Sequence, residues 1–362
     1  LTKAAVLGVG LIGGSIGLAA RQRLGAEVVG YSRSEATVAR ALELGALDRG
    51  AATPEEACTG AELIFCAGPV ALLPGQARAA LDAAGRDAVV TDVGSTKGDL
   101  VEALGGDERF IGGHPLAGAE TAGVENARAD LFAGARWYLT PTERSSGLLY
   151  DRLQRFLAGL GARPQAIDAR DHDRLMATVS HLPHVLANAL AAEAAEGLGG
   201  DSERLPEVGP SFRDATRVAG ANPAIWADIY ASNRAAVADS VESAARRLRE
   251  AARLIRGGDH GAIAAWQAAA GEDRRRLLEA QSEAGPLREL RIVVANKPGT
   301  IAQLALALGD AGVNIEDMAL YPTPDMTSGA VSLWVGGEEQ AERAARLVRE
   351  LGHSVTVLAG DE

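Results

Sequence analysis

A chain of 362 residues, 47% hydrophobic and 23% charged, has the composition of a multi-domain globular protein, which excludes wholesale disorder, a collagen-like repeat and a single small module. Its formal charge of −12, from 48 acidic and 36 basic side chains, opposes a nucleic-acid backbone or an anionic membrane as main partner and points to a small molecule. Cys58 and Cys66 are the only cysteines, too few for a disulfide framework or a zinc spacing, so no structural metal is expected. No apolar run reaches the roughly 18 residues of a membrane helix, and the start of the chain reads as a strand rather than a signal peptide, which together predict a cytoplasmic protein. Lys3, Lys97 and Lys297 are the only lysines, so 33 of the 36 basic residues are arginines and no single arginine is evidence of a site.

From Lys3 to about Asp168, short apolar runs alternate with Ala-rich helical stretches, the rhythm of an α/β sheet with crossover helices. Strands are expected at Ala4 to Leu7, Glu27 to Tyr31, Leu63 to Cys66, Ala88 to Thr91, Phe110 to Ile111, Trp137 to Leu139 and Pro164 to Ile167. The first is followed by Gly8-Val9-Gly10-Leu11-Ile12-Gly13 and a helical stretch, the context of a dinucleotide fingerprint. In it Gly8 permits a tight turn, Gly10 lets backbone approach a pyrophosphate and Gly13 lets helix pack on strand. The second strand ends in Tyr31-Ser32-Arg33-Ser34. The acid that would grip the 2′-hydroxyl of NAD is missing, and a hydroxyl-Arg-hydroxyl cluster suits the 2′-phosphate of NADP.

Asp92 to Lys97, after the fourth strand, supplies Ser95, a hydroxyl that could orient an imidazole. That imidazole is His114, in Gly112-Gly113-His114-Pro115-Leu116-Ala117-Gly118, expected just beyond a strand where an open α/β sheet gathers its ligands. With an ordinary pKa of about 6.5 it could take a proton from a hydroxyl near neutral pH. Taken alone, each segment reads equally as a solvated loop.

From Asp171 to about Ala284 the apolar spacing turns helical, with Val237, Val241, Ala244, Leu248, Ala251 and Ile255 forming one stripe. Within this region Ser180-His181-Leu182-Pro183-His184 reads as a kinked helix, with Asp173, Met176, Ser180 and His184 on one face. Arg213 and Arg217, four apart, could together grip a carboxylate, or face solvent. After Gly285-Pro286 the order becomes strand, helix, strand, strand, helix, strand (Leu290 to Val294, Ile301 to Ala311, Asn314 to Tyr321, Gly329 to Val335, Glu338 to Leu351, Ser354 to Leu358), which reads as a small ferredoxin-like domain.

Read together, these segments make the chain resemble the prephenate dehydrogenases of tyrosine biosynthesis, in their form with a C-terminal ACT domain. The resemblance rests on GxGLIGGS (Gly8 to Ser15), DVGS-K (Asp92 to Lys97), GGHPLAG-E (Gly112 to Glu120), SHLPH (Ser180 to His184) and F-D-TR-A (Phe212 to Ala219), in the family's order. It implies a Rossmann domain (1–168) that binds NAD or NADP through Gly8, Gly10, Leu11, Ile12, Gly13, Ser32, Arg33 and Ser34. It also implies a helical substrate and dimerisation domain (169–285) and an ACT regulatory domain (288–362). The implied reaction is oxidative decarboxylation of prephenate, or of arogenate, by a homodimer. His114 would deprotonate the hydroxyl and Ser95 would hold its ring. His184, Arg217 and Arg213 would bind the substrate, with Glu120 and Asp173 near the pocket entrance. In the ACT part, Gly299, Thr300, Asn314 and Ile315 would form a site for L-tyrosine as feedback inhibitor. Two departures stand out: Ser32 occupies the place of the acid in NAD-using members, and Ala119 that of a frequent hydroxyl. A β-hydroxyacid dehydrogenase is disfavoured because no lysine lies between Lys97 and Lys297, and a non-catalytic amino-acid sensor is disfavoured by the intact His114, Ser95 and Arg217 set.

Overall fold

The computed structural model describes residues 2–118, 121–197, 208–279, 287–295, 297–322 and 328–358. Contacts divide the chain into two units, Leu1–Arg247 and Leu248–Glu362.

The first unit is built on a five-stranded parallel sheet of β1 (Lys3–Leu7), β2 (Glu27–Tyr31), β3 (Arg49–Gly50), β4 (Leu63–Cys66) and β5 (Val89–Asp92), in the order β3-β2-β1-β4-β5. Every residue of β4 and β5 is buried, as expected of parallel strands covered on both faces, and their side chains alternate between two cores. Val6, Val28, Leu63 and Phe65 face one core with Trp137 and Phe156. Leu7, Val29, Ile64 and Val90 face the other with Leu73 and Leu81. The strand order reverses between β1 and β4, so this Rossmann-type sheet opens its ligand crevice at the C-terminal ends of those strands.

A second sheet comes next, of β6 (Gly112–Pro115), β7 (Arg136–Thr140) and β8 (Arg163–Ala166), with β6 antiparallel and β8 parallel to β7. The strand expected at Phe110 to Ile111 thus lies two residues later, and Phe110 makes only an isolated bridge to Val90. Two glycines made Gly112–Pro115 a poor strand by propensity. Packing explains them: a Cβ on Gly113 would stand 2.6 Å from the Asp92 carbonyl oxygen.

Helices take over after Asp168, whose side chain caps Ala169–Met176 by accepting from the Arg170 and Asp171 backbone N–H groups at 2.8 and 3.2 Å. A π-helical turn, Ala177–His181, joins it to Leu182–Gly197. Further along come Pro210–Thr216, a 3-10 turn at Arg217–Gly220, Pro223–Ser232 and Arg234–Gly257, the last of which contains the boundary between the units.

The second unit holds helix His260–Glu279 and an antiparallel sheet of β9 (Leu287–Ala295), β10 (Asp317–Pro322), β11 (Ser328–Gly336) and β12 (Ser354–Leu358), ordered β10-β11-β9-β12. Helices Thr300–Asp310 and Glu338–Glu350 intervene in a βαββαβ succession. Alternate residues of β9 and β11 (Leu290, Ile292, Val331, Leu333) pack against Leu304, Leu308, Ala344 and Val348. Among the described residues no helix is long and apolar enough to cross a membrane, and no cluster of three metal-ligating side chains occurs.

Candidate active site

At the end of β1 the backbone turns at Gly8, with φ +106°, and a Cβ there would stand 2.6 Å from the Ala67 carbonyl oxygen. Gly13 brings the next helix onto the strand: its Cβ would lie 2.0 Å from the Gly8 oxygen. Between them Gly10 begins helix Leu11–Leu24, and a Cβ on it would meet nothing within 4 Å. A helix N-terminus with open space at its first backbone atoms fits a pyrophosphate. Leu11 and Ile12 are half-buried against the core and hold the helix in place.

The cleft above these atoms has a volume of about 870 Å³, with Gly8, Gly10, Ser32, Arg33, Arg40 and Gln76 in its walls. Gln76 ties the β1 and β4 loops together, donating to the Leu7 carbonyl and accepting from the Gly68 N–H, both at 3.2 Å. Ser34, expected beside Ser32 and Arg33, does not line the cleft; it caps helix Glu35–Glu43, its Oγ accepting from the Thr37 N–H at 3.2 Å. A serine placed one residue before a helix satisfies a backbone donor that otherwise has no partner.

His114 lies within β6, opposite Tyr138, rather than beyond a strand. Its position is set from below by β5: Asp92 accepts from the Gly113 N–H at 3.0 Å and the Gly94 N–H at 2.7 Å, and forms an ion pair with Lys97 in which both side chains are fully buried. His114 Nδ1 is 2.9 Å from His172 Nε2. His172 is itself fully buried, with its Nδ1 2.9 Å from Asp173 Oδ1. Asp173 also accepts from the backbone N–H groups of Lys97 and Gly98 at 2.8 and 2.7 Å. The ring of His114 is thus oriented by His172. Ser95 makes no hydrogen bond to it, although both line one cavity of about 350 Å³ with Met176, His181, Trp226 and Ile229. Burial drives the His114 imidazole well below its ordinary pKa, and His172, Lys97 and His181 act in the same direction. It is therefore an unprotonated acceptor at neutral pH.

Asp173, expected near a pocket entrance, is buried beneath the site at 7% exposure. The π turn explains a second difference. By widening one turn it rotates the rest of the helix, so that Asp173, Met176, Ala177 and His181 are buried while Ser180 and His184 are only partly so. His181 reaches the His114 cavity, whereas His184 stacks on the other side of Trp226, at 3.5 Å between ring centroids. There it lines a separate cavity of about 250 Å³ with Val218 and Tyr230. Burial pushes the His181 imidazole down to about 4, against the opposing pull of Asp173. For His184 burial also lowers the pKa, with the Arg217 charge adding to it.

Arg213 and Arg217 do not share an uninterrupted helix, because the α-helix ends at Thr216 and a 3-10 turn begins at Arg217. Arg213 donates to the Val208 carbonyl at 2.9 and 3.2 Å. Neither arginine lines the His114 cavity. Glu120 lies outside the described residues. In the second unit Gly299, at φ +89°, precedes helix Thr300–Asp310, Asn314 donates to Glu316 at 2.9 Å, and Ile315 packs against the core. Sequence reasoning missed His172, His181, Trp226 and the buried Asp92–Lys97 pair. Asp92 and Lys97 stand at the two ends of a segment read only for Ser95.

Residues 16–165 match the model of the prephenate dehydrogenase nucleotide-binding domain, and residues 168–268 that of the prephenate dehydrogenase dimerization domain. The chain is 28% identical to prephenate dehydrogenase of Bacillus subtilis over 353 residues, 94% of each chain. It is 32% identical to cyclohexadienyl dehydrogenase of Zymomonas mobilis over 240 residues, covering 64% of this chain and 81% of that one. Among solved structures, the prephenate dehydrogenase of A. aeolicus in complex with hydroxyphenyl propionate and NAD+ superposes with a TM-score of 0.72 at 28% identity, over 76% of this chain and 98% of that one. A Rossmann-type sheet, a glycine turn shaped for a dinucleotide, a half-buried, unprotonated histidine beyond it and these likenesses lead to one conclusion: the chain belongs to the prephenate dehydrogenase family.

Proposed function

We propose that the protein catalyses the oxidative decarboxylation of prephenate to 4-hydroxyphenylpyruvate, with His114 as the proton acceptor. The observation that carries this reading is the half-buried His114, held at Nδ1 and sharing a cavity with Ser95. When bound, NAD(P) supplies the hydride acceptor for the ring carbon that bears the 4-hydroxyl. His114 Nε2 accepts the hydroxyl proton as that carbon becomes oxidised. The ring carboxylate then leaves as carbon dioxide, its bonding electrons aromatise the ring to a phenolate, and the phenolate oxygen takes the proton back from His114, so the protein needs orientation and one base. Ser95 positions the reacting ring beside His114.

Prephenate carries its ring carboxylate and its pyruvyl side chain, which bears the second carboxylate, on the ring carbon para to the hydroxyl, so the groups that bind them belong at the far end from His114. Arg217, supported by Arg213, is the proposed clamp, and His184 lines that end; the cavities holding His114 and His184 share Trp226 as a wall. The planar guanidinium suits a carboxylate better than an ammonium does. In the second unit, the βαββαβ succession and its strand order support a ferredoxin-like ACT domain (288–362), with tyrosine bound near Gly299, Thr300, Asn314 and Ile315. The region 169–285 supplies the homodimer contact, in keeping with the dimerization-domain match. Two unpaired, buried cysteines suit a cytoplasmic enzyme.

A crossed assay of prephenate and arogenate with NAD and NADP tests the reaction. Turnover of prephenate is expected, and turnover of arogenate alone would reassign the substrate. For the cofactor, Ser32 and Arg33 in the cleft wall, with no acid at the end of β2, support NADP. Arg33→Ala is then expected to raise KM for NADP and leave that for NAD unchanged; equal loss with both removes Arg33 from the selection.

A further inference from the structure

We propose that Asp173 and His172 form a buried positioning pair that fixes the tautomer of His114, keeping its Nδ1 as a donor and its Nε2 as the bare acceptor. This role rests on the reading of His114 as the base and adds how that base is kept in its working form.

Donors and acceptors must alternate along the three side chains. Asp173 accepts from two backbone N–H groups, those of Lys97 and Gly98, and these fill one side of the carboxylate. Its remaining contact, to His172 Nδ1, is therefore an N–H donated by the imidazole. A neutral imidazole has one such hydrogen, so His172 Nε2 is an acceptor and the atom 2.9 Å from it, His114 Nδ1, is the donor. His114 is left with its single lone pair on Nε2. The orientation of each ring is set by the chain of bonds, as in other sites where a carboxylate sets a histidine tautomer.

The surroundings leave the pair little freedom. A Cβ on Gly98 would stand 2.8 Å from Asp173 Oδ2, so the carboxylate is pressed against backbone. Tyr138 of β7 meets the His172 ring edge-on at 5.7 Å. Lys97 faces the group from the β5 loop, neutralised by Asp92, and His181 faces it from the π turn. Asn233 donates through Nδ2 to the Asp173 backbone carbonyl at 2.8 Å, and the same nitrogen lies 3.3 Å from His181 Nδ1. His181 Nδ1 is thereby an acceptor and its Nε2 carries the hydrogen. The two histidines of the cavity thus hold opposite tautomers. In the reaction the substrate O–H bond breaks and an Nε2–H bond forms on His114. The resulting imidazolium keeps its Nδ1–H on His172, whose own N–H stays on the Asp173 carboxylate.

The test uses the full-length protein labelled with ¹⁵N-histidine. Of six histidines, His114 is identified by the signals that disappear in His114→Asn, and its Nε2 is expected to show the chemical shift of an unprotonated nitrogen. In kinetics, His172→Phe, which offers no acceptor, is expected to lower kcat about 10- to 100-fold. KM for prephenate and for the cofactor should change by less than about twofold if the effect is on the base alone. His172→Gln, whose Oε1 can accept from Nδ1–H, is expected to recover most of the loss. If His172→Phe does not fold, the wild-type spectrum and His172→Gln still decide. A hydrogen on His114 Nε2, as an imidazolium at His172 would impose, overturns the proposal; so does full kcat in a folded His172→Phe, or a His172→Gln no better than Phe. Retained turnover in His114→Asn would instead overturn the reading of His114 as base, while the spectrum still reports the tautomer.

Discussion

Turnover should depend most steeply on His114, because among the described residues of its cavity no other side chain presents a fixed acceptor. His114→Asn keeps some hydrogen bonding but no proton acceptor, so kcat is expected to fall on the order of 10² to 10⁴ with a modest change in KM; a steady-state assay showing near wild-type kcat removes the assignment. His181 bears on stability instead. Its folded pKa lies near 4, lowered chiefly by burial, against about 6.5 for an unperturbed imidazole. Between these values the unfolded chain binds a proton that the folded chain refuses, so stability is full above pH 6.5, falls as the pH drops toward 4 and then levels. His114 adds to the same slope. Urea midpoints across this range should fall less steeply in His181→Gln than in the wild type, and identical slopes would clear His181 of the effect. The sequence made His114 legible because its glycines and proline sit beside it. It could not show His172, which arrives from 58 positions away and has no periodic or motif neighbour to mark it.

The strand-turn-helix at Lys3 to Leu24 was the most readable element, since each glycine's task is dictated by local geometry. Two of those tasks can be separated. Gly13→Ala puts a methyl against a backbone oxygen that cannot yield, and it is expected to lower Tm, at a cost of about 1–3 kcal/mol or more. Gly10→Ala puts the same methyl into open space, so Tm should hold while KM for NAD(P) rises roughly tenfold, the worth of about 1.4 kcal/mol. If Gly10→Ala binds the cofactor as well as the wild type does, the phosphates do not approach there. The π turn was not readable. Pro183 announced a disturbance in the helix, but a kink and a widened turn answer the same missing N–H, and only the second sends His181 inward in place of His184. Strand β6 was misplaced for a related reason: two glycines argued against it by propensity, while the close approach of Asp92 required them.

Across the whole molecule, composition marked three stretches, whereas contacts keep the helices from Ala169 to Arg247 with the parallel sheet. The fastenings are single long-range pairs, such as Thr96 with Ser232 at 2.9 Å and Asp173 with the Lys97 N–H, which leave no trace in a composition profile. For the remaining C-terminal part the proposed role is regulatory. Deleting the chain from Arg288 onward is expected to leave an enzyme that turns over prephenate and ignores tyrosine. Tyrosine inhibition that survives the deletion, measured as a dose response, would place the effect in the active site as product competition. The scarcity of lysine has its own use at this scale. Lys97 is sealed with Asp92, Lys3 is half-buried at the start of β1 in the first unit, and Lys297 is exposed in the second. A lysine-directed fluorophore or cross-linker therefore finds one accessible side-chain amine in each unit, so the separation of the two can be followed in solution without introducing a single foreign residue.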